Sequence, residues 1–449
     1  MGKKPAAGLV LAAAAVLISA CSSGSGGSGA GGSTTITVLL AKETASAAAE
    51  NAYFKQIASE FHAQHPNARV SFDFWATPTQ ESTAIQTAAI SHTGPDIMAI
   101  GSSIVPTAQA TGEFLTLTSH DWQILGGRNA FLSSQLADSG PTASQDIGVP
   151  DRTTGFGILY NKAMFAHAGI TSPPATWSQF ITDARKLTDP AKGVWGATLD
   201  PGDPKDPWHM LWLLSVQDGS DLISTKAKTG LLTSPVVERQ AAFWLDWMTK
   251  YHIASPKDAT NQFADSLTQF IDGKAAMFMP VGTSAIPRLQ ASGQASNYAI
   301  APMPTIPYGL SSLPPGGVPA ESFTSSEYYT IPKYSPDPAL DLDLIKMIDS
   351  PSFQDLVARN EGYLPSTQAA ISADPSLAKA PYPALEKIVK AEFPTPWTGA
   401  WGTVETSVGH AISSVASNIA TSGSYSPAQL DSALAQANQE ITAGLRAAH

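Results

Sequence analysis

The sequence has a single cysteine, Cys21, among 449 residues, and this scarcity limits its chemistry. One thiol cannot form an intramolecular disulfide, and it cannot supply a cysteine-based metal site. Charged residues are also sparse at 14%, and the formal net charge is −11. Nucleic-acid binding needs clustered lysine and arginine, and no basic cluster follows Lys4. The composition therefore argues against a disulfide scaffold and against a nucleic-acid-binding protein.

The sequence also lacks an apolar run of membrane length. The apolar run at residues 6–20 covers about 15 residues, which is short for a membrane-spanning helix. It follows Lys3 and Lys4 and ends in small residues, a pattern typical of a secretory signal. We therefore predict a signal peptide over residues 1–20.

The cysteine lies directly after that predicted signal. Residues 18–21, Ile-Ser-Ala-Cys, resemble a bacterial lipobox. The resemblance implies cleavage before Cys21 and diacylglycerol on its sulfur, which would anchor the protein to the outer face of the cell membrane. The alternative is an ordinary signal peptide with an incidental cysteine. Residues 22–33 are Ser and Gly with one Ala, so residues 21–33 are predicted to be a lipidated cysteine and a flexible tether.

The remaining chain begins with alternating strand and helix patterns. Strand patterns at 35–40, 70–75 and 96–100 are separated by helix patterns at 54–61 and 81–90. This order predicts a parallel sheet, in which ligands meet the loops after the carboxyl ends of the strands. About 415 residues follow the tether, which is enough for two lobes with separate cores.

Several short motifs follow one another in a distinctive order. They include Tyr160-Asn161-Lys162, then Ala168-Gly169-Ile170. The full set occupies residues 93–97, 110–117, 147–150, 157–165, 168–170, 173–177, 270–277 and 362–365. Together they resemble the extracellular solute-binding proteins of ABC importers, in the group that includes maltodextrin-binding protein. The resemblance runs from about residue 35 to the C-terminus.

The resemblance implies an α/β fold of the type II periplasmic-binding-protein kind, with a ligand cleft between two lobes joined by hinge strands. The first lobe is expected to comprise residues 34–155 and 279–329, and the second residues 156–278 and 330–449. The implied function is capture of a mono-, di- or oligosaccharide and its delivery to the permease subunits of the importer. The implied protein is a monomer without cofactor, metal or enzymatic activity.

A sugar site needs aromatic rings for the apolar face of the sugar and polar groups for its hydroxyls. Four tryptophans in predicted loops or strand ends are candidates, although each ring could instead pack in the core: Trp75, Trp208, Trp397 and Trp401. The other candidate ligand-binding residues are Glu43, Gln80, Ser102, Asp151, Arg152, Gly282, Glu321 and Tyr328. Gly282 lies in the segment where many relatives of this kind carry a tryptophan.

Other classes of function remain as alternatives. Arg152 could bind a phosphate through its planar guanidinium, so a phosphorylated polyol or glycerophosphodiester is an alternative ligand. A secreted glycosidase would need two carboxylates at a defined separation. The sequence contains no GxSxG, HExxH or P-loop motif, and a surface adhesin is a third class. His62 and His65 are a possible zinc pair without evident further ligands. Tyr328 and Tyr329 are a possible iron pair, but they lie in a predicted strand, where alternate residues face opposite sides.

Overall fold

The structure is a computed structural model that describes residues 34–41, 47–75, 78–204, 206–294 and 296–448. The predicted signal peptide, Cys21, the tether and the candidate residue Glu43 lie outside the described residues. Among the helices that are described, none is both long and apolar enough to cross a membrane.

Strands and helices alternate through the first part of the chain, and helices dominate the last part. The described strands are β1 (Thr34–Ala41), β2 (Ala68–Trp75), β3 (Ile97–Gly101), β4 (Val149–Thr153), β5 (Gly157–Asn161), β6 (Ile223–Ser224), β7 (Thr229–Gly230), β8 (Met277–Val281), β9 (Tyr298–Ala301), β10 (Ser326–Thr330) and β11 (Leu364–Pro365). The first eight described α-helices are α1 (Ala47–Gln64), α2 (Pro78–Ser91), α3 (Val105–Thr111), α4 (Ser119–Ile124), α5 (Lys162–His167), α6 (Trp177–Leu187), α7 (Pro207–Gln217) and α8 (Pro235–Thr249). The later ones are α9 (Phe263–Ile271), α10 (Ile286–Ala291), α11 (Pro338–Ile348), α12 (Pro351–Glu361), α13 (Gln368–Ala373), α14 (Tyr382–Lys390), α15 (Trp401–Ser422) and α16 (Pro427–Ala447).

Two sheets organise the molecule. The six-stranded sheet has the order β11-β4-β10-β3-β1-β2, and the three-stranded sheet has the order β8-β5-β9. Strand β1 is parallel to both β2 and β3, which confirms the parallel arrangement predicted from the first part of the sequence. Strand β10 is antiparallel to β3 and β4. We call the six-stranded sheet and its covering helices the first lobe, and the three-stranded sheet and its covering helices the second lobe.

Strands β3 and β8 are buried on both faces of their sheets, and successive residues of each strand point to opposite sides. In β3, Ile97 and Ala99 join one core, whereas Met98 and Ile100 join the core on the other face. In β8, Met277 and Met279 lie on one face, and Phe278 lies on the opposite face. Burial on two faces explains why these strands are nearly continuous apolar runs.

The segments that make up the two lobes differ from the expected boundaries. Strands β8 and β9 pair with β5 in the second lobe, although residues 279–329 were expected in the first. The chain returns to the first lobe with β10, and Leu344 and Phe353 of the following helices pack in the same core as Ile36. The expected placement of residues 330–449 in the second lobe therefore does not describe α11, and α12 also joins the second-lobe core through Ala358.

Candidate functional site

A cavity of about 210 Å³ lies between the two lobes, at the carboxyl ends of β2 and β3. The first lobe contributes Trp75 from the end of β2, Glu81 from the first turn of α2 and residues 101–104 after β3. The second lobe contributes Asp206, Trp208 and His209 at the start of α7, together with Thr395 and Glu405. Residues 323–327, which enter β10 from the second lobe, form the remaining wall. The cavity is therefore built where chain segments of both lobes meet, the place that a parallel sheet favours for a ligand.

Aromatic rings form a rigid part of the cavity wall. The rings of His209 and Phe323 stack with centroids 4.3 Å apart and an interplanar angle of 15°. Trp208 packs beside them, with its ring centroid 4.9 Å from that of Phe323. On the first-lobe side, the indole Nε1–H of Trp75 donates a hydrogen bond of 3.3 Å to the carbonyl of Ala99. Trp208 and Phe323 are only 5% and 2% exposed, whereas the ring of Trp75 is partly exposed, and exposed ring surface suits the apolar face of a sugar.

Polar groups in the wall are also held in place. Glu81 is buried, and its Oε1 accepts a hydrogen bond of 2.9 Å from the backbone N–H of Gly101. The backbone N–H of Ser102 donates to the carbonyl of Ser326 at 2.9 Å. The hydroxyl of Ser102 donates to the carbonyl of Thr324 at 3.2 Å. These bonds join the end of β3 to the segment that crosses between the lobes.

The cavity wall is acidic. Its carboxylates are Glu81, Asp206, Glu327 and Glu405, and the described lining residues include no lysine or arginine. Burial lowers the pKa of His209 to about 3, so this imidazole is neutral at physiological pH and adds no positive charge. Carboxylates accept hydrogen bonds from hydroxyl groups, whereas they repel a bound anion.

Three of the residues predicted from the sequence lie together in this cavity: Trp75, Ser102 and Trp208. Trp401 is fully buried behind it, and its ring packs edge-on against Trp208 with centroids 5.3 Å apart. Trp397 lines a different depression, beside Pro106 of α3. The two tryptophans were grouped as loop residues, but α15 begins at Trp401 and draws that ring into the core.

Asp151 and Arg152 do not line the cavity, since both belong to the buried strand β4. The side-chain amide of Gln354 donates a hydrogen bond of 3.0 Å to Oδ1 of Asp151. The guanidinium carbon of Arg152 lies 5.1 Å from the ring centroid of Tyr363. The structure therefore gives both side chains contacts inside the first lobe.

The other candidates also lie apart from the cavity lining. Tyr328 is fully buried, and its hydroxyl donates to the carbonyl of Gln135 at 2.6 Å. Gly282 packs closely on Thr154, the residue that follows β4: a Cβ at position 282 would lie 2.5 Å from Oγ1 of Thr154. Gln80 is exposed in the first turn of α2. Glu321 is partly buried, and burial raises the pKa of its carboxyl.

Several lining residues were not predicted from the sequence. Glu81, His209 and Phe323 lie one or two positions from the candidates Gln80, Trp208 and Glu321. The sequence candidates therefore indicated the correct chain segments for these three lining residues, although not the residues themselves. Glu405 had no such signal, because helix α15 brings it to the cavity from far along the chain.

The histidine pair considered for metal binding has structural contacts instead. Nδ1 of His62 lies 2.8 Å from the carbonyl of Ala68, and the ring of His65 stacks on Phe61 with centroids 4.5 Å apart. Within the part of the chain that the structure describes, no group of three or more His, Cys, Asp or Glu is arranged to hold a metal ion.

The two-lobe α/β fold, with its cavity between the lobes, is that of a type II periplasmic binding protein. The profile of the family described as bacterial extracellular solute-binding protein matches residues 44–355, and the chain belongs to this family. A protein of Brucella abortus (strain 2308) that carries the name of a binding protein is 24% identical over 277 residues. That match covers 60% of this chain and 61% of the length of the Brucella protein.

Solved structures share the fold over nearly the whole chain. A solute-binding protein of an ABC transporter from Thermotoga lettingae, bound with α-D-tagatose, has a TM-score of 0.72 and 18% identity. The GacH receptor of Streptomyces glaucescens, solved unliganded and with acarbose, has a TM-score of 0.71 and 20% identity. The sugar-binding protein MalE of Xanthomonas citri has a TM-score of 0.74 and 16% identity. Each match covers 92% of this chain, and 100%, 99% and 98% of the respective structures.

Proposed function

We propose that this chain is the substrate-binding component of an ABC importer, and that it captures a carbohydrate in the cavity between its lobes. The observation that carries the proposal is a single cavity that combines oriented rings of both lobes with carboxylate and hydroxyl groups. A pyranose presents an apolar C–H face and a rim of hydroxyls, and such a wall matches both. The sugars bound by the structural relatives above support the same class of ligand.

The charge of the cavity favours a neutral carbohydrate over a phosphorylated polyol. A phosphate site needs cationic groups or converging backbone N–H groups. Arg152, the cation considered for that role, is buried in β4 against Tyr363, and the described lining includes four carboxylates without a lysine or arginine. A phosphate placed beside those carboxylates would be repelled and would lose its hydration.

We propose binding without turnover, with delivery of the intact ligand to membrane permease subunits. The family comprises solute-binding proteins, and it supports this view over a secreted glycosidase or an adhesin. We also propose that Cys21 carries a lipid anchor that keeps the protein at the outer face of the cell membrane, because the lipobox-like segment precedes a Ser/Gly tether.

A thermal-shift screen tests the proposal on the chain from Ser33 onward. The panel contains neutral mono-, di- and oligosaccharides, together with the phosphate esters of the same sugars. A ligand at 100 times its Kd adds about 2.7 kcal/mol of stability. We expect stabilisation by at least one neutral sugar and weaker stabilisation by its phosphate ester, with recovery of the unchanged sugar after denaturation. Stabilisation only by phosphorylated compounds, or release of a hydrolysed product, would contradict the proposal.

A further inference from the structure

Two hydrogen bonds connect the lobes at a place beside the binding cavity. The hydroxyl of Thr107, on helix α3 of the first lobe, donates a hydrogen bond to the carbonyl oxygen of Gly399, with 3.0 Å between the two oxygens. Trp397, in the segment before α15, donates its indole N–H to Oε1 of Gln109 at 3.1 Å. We call these four residues the latch. The latch joins parts of the chain that lie almost 300 residues apart in sequence.

The first-lobe half of the latch is pre-oriented. The side-chain amide of Gln109 donates a hydrogen bond of 2.8 Å to the carbonyl of Gln145, also in the first lobe. Because this bond uses the Nε2 end of the amide, the Oε1 end faces Trp397. An acceptor fixed in this way loses little conformational entropy when the indole N–H arrives.

The second-lobe half of the latch fits closely onto helix α3. The partly buried ring of Trp397 packs against the first-lobe core that contains Ile104 and Ala108. The absence of a side chain at Gly399 permits the close approach, since a Cβ there would lie 3.3 Å from Cβ of Ala110. Close fit, apolar packing and hydrogen bonds therefore all stabilise the same interface between the lobes.

None of the four latch residues lines the binding cavity, whereas Thr107 and Gly399 line a neighbouring depression of about 330 Å³ that shares Ile104 with it. Their contacts exist only while the lobes are together, so their free energy favours the closed arrangement and adds nothing to contacts with the ligand. A ligand that binds the closed form has an apparent affinity that depends on the population of that form.

We propose that the latch sets the fraction of the protein in the closed form, and through it the residence time of the ligand. The latch residues are positioning residues, which do not touch the ligand. The effect on ligand residence rests on the proposed function, whereas the effect on the lobes does not need a ligand. Loss of one hydrogen bond should reduce the ratio of closed to open protein about two- to tenfold.

The closed population can be measured without ligand by the distance between two spin labels. The labels are placed at Ile90→Cys, an exposed position of α2, and Ala420→Cys, an exposed position of α15, in the full chain carrying Cys21→Ala. The latch variants are Gln109→Ala and Gly399→Val, and the matched control is Gln56→Ala on the exposed face of α1.

We expect both latch variants to move the unliganded distance distribution toward longer distances, and the control to leave it unchanged. The melting temperature of each variant shows whether it is folded. Unchanged distributions in both folded latch variants would overturn the proposal. A protein that binds no carbohydrate but opens in the latch variants would contradict the proposed function alone.

A double-mutant cycle then distinguishes an effect of the latch on ligand dissociation from an effect of direct contact between Trp397 and the ligand. Trp397→Phe and Gln109→Ala each remove the same hydrogen bond, so the pair together should accelerate ligand dissociation no more than either change alone. The acceleration should also be equal for different bound sugars. Additive effects that vary with the sugar would indicate a ring that touches the ligand and would overturn the positioning role.

Discussion

Removal of the Trp75 ring should weaken ligand binding strongly while leaving the fold nearly as stable as before. The ring is partly exposed at the edge of the cavity, and its polar link to the protein is one hydrogen bond of 3.3 Å to the carbonyl of Ala99. That bond contributes about 1 kcal/mol to stability. Covering an aromatic ring with a sugar face contributes about 1.5–3 kcal/mol, which corresponds to about a ten- to hundredfold change in Kd.

Isothermal titration of Trp75→Ala with the sugar found in the screen measures this change, and the melting curve of the unliganded variant measures the stability. Trp75→Phe should fall between wild type and Trp75→Ala, because it keeps a ring but loses the indole N–H. Trp195→Ala is the matched control, since Trp195 is also partly buried but lies outside the cavity lining. Wild-type affinity in Trp75→Ala, or an equal loss in Trp195→Ala, would refute the stacking role.

Three further predictions concern a buried acid, a core ring and the anchor. Burial raises the pKa of Asp138 to about 8, so the folded state keeps a proton that the unfolded state loses above about pH 4, and stability falls as the pH rises through this window. Asp138→Asn should therefore be more stable than wild type at pH 7, by on the order of 2–4 kcal/mol, and as stable as wild type near pH 4. Chemical denaturation at these two pH values measures the difference. Trp401→Ala should lower the free energy of unfolding by about 3–5 kcal/mol, because the ring is fully buried, and unchanged stability would contradict this placement. Cys21→Ala should release the protein from the membrane without unfolding it; equal membrane retention, or a mature N-terminus beyond Cys21, would refute the anchor.

Local sequence patterns predicted the part of the site that depends on local structure. The apolar strands near the N-terminus gave the parallel pairing of β1, β2 and β3, and parallel strands expose their carboxyl ends at one edge. Trp75 and Ser102 follow directly from this rule, since each ends or follows one of these strands. Trp208 was grouped with the loop tryptophans, but it lies in the first turn of α7 and is buried there, with its ring in the cavity wall.

Long-range packing decided the rest and could not be seen in local patterns. Pro394 and Pro396 make the stretch before Trp401 resemble a loop, yet α15 begins at Trp401 and buries its ring. Glu405 reaches the cavity only because this helix packs beside the start of α7. Arg152 was a candidate for ligand binding, but it belongs to the buried strand β4 and its guanidinium lies against the ring of Tyr363.

The boundaries of the lobes were also governed by distant pairing. Strand β8 resembles any apolar strand, and only its antiparallel pairing with β5 shows that it belongs to the second lobe. Helix α11 packs on the first lobe, whereas α12 contacts both cores: Phe353 lies 6.1 Å from Tyr53 between ring centroids, and Ala358 joins the core that contains Phe278.

A crystal structure of the protein with its tightest-binding sugar tests the central claim most directly. The account predicts one sugar in the interlobe cavity, with its C–H face against the ring of Trp75 or the wall of Trp208 and Phe323. Its hydroxyls should lie within hydrogen-bond distance of carboxylates such as Glu81 or Glu405. A sugar bound elsewhere, with the cavity holding only solvent, would contradict the account.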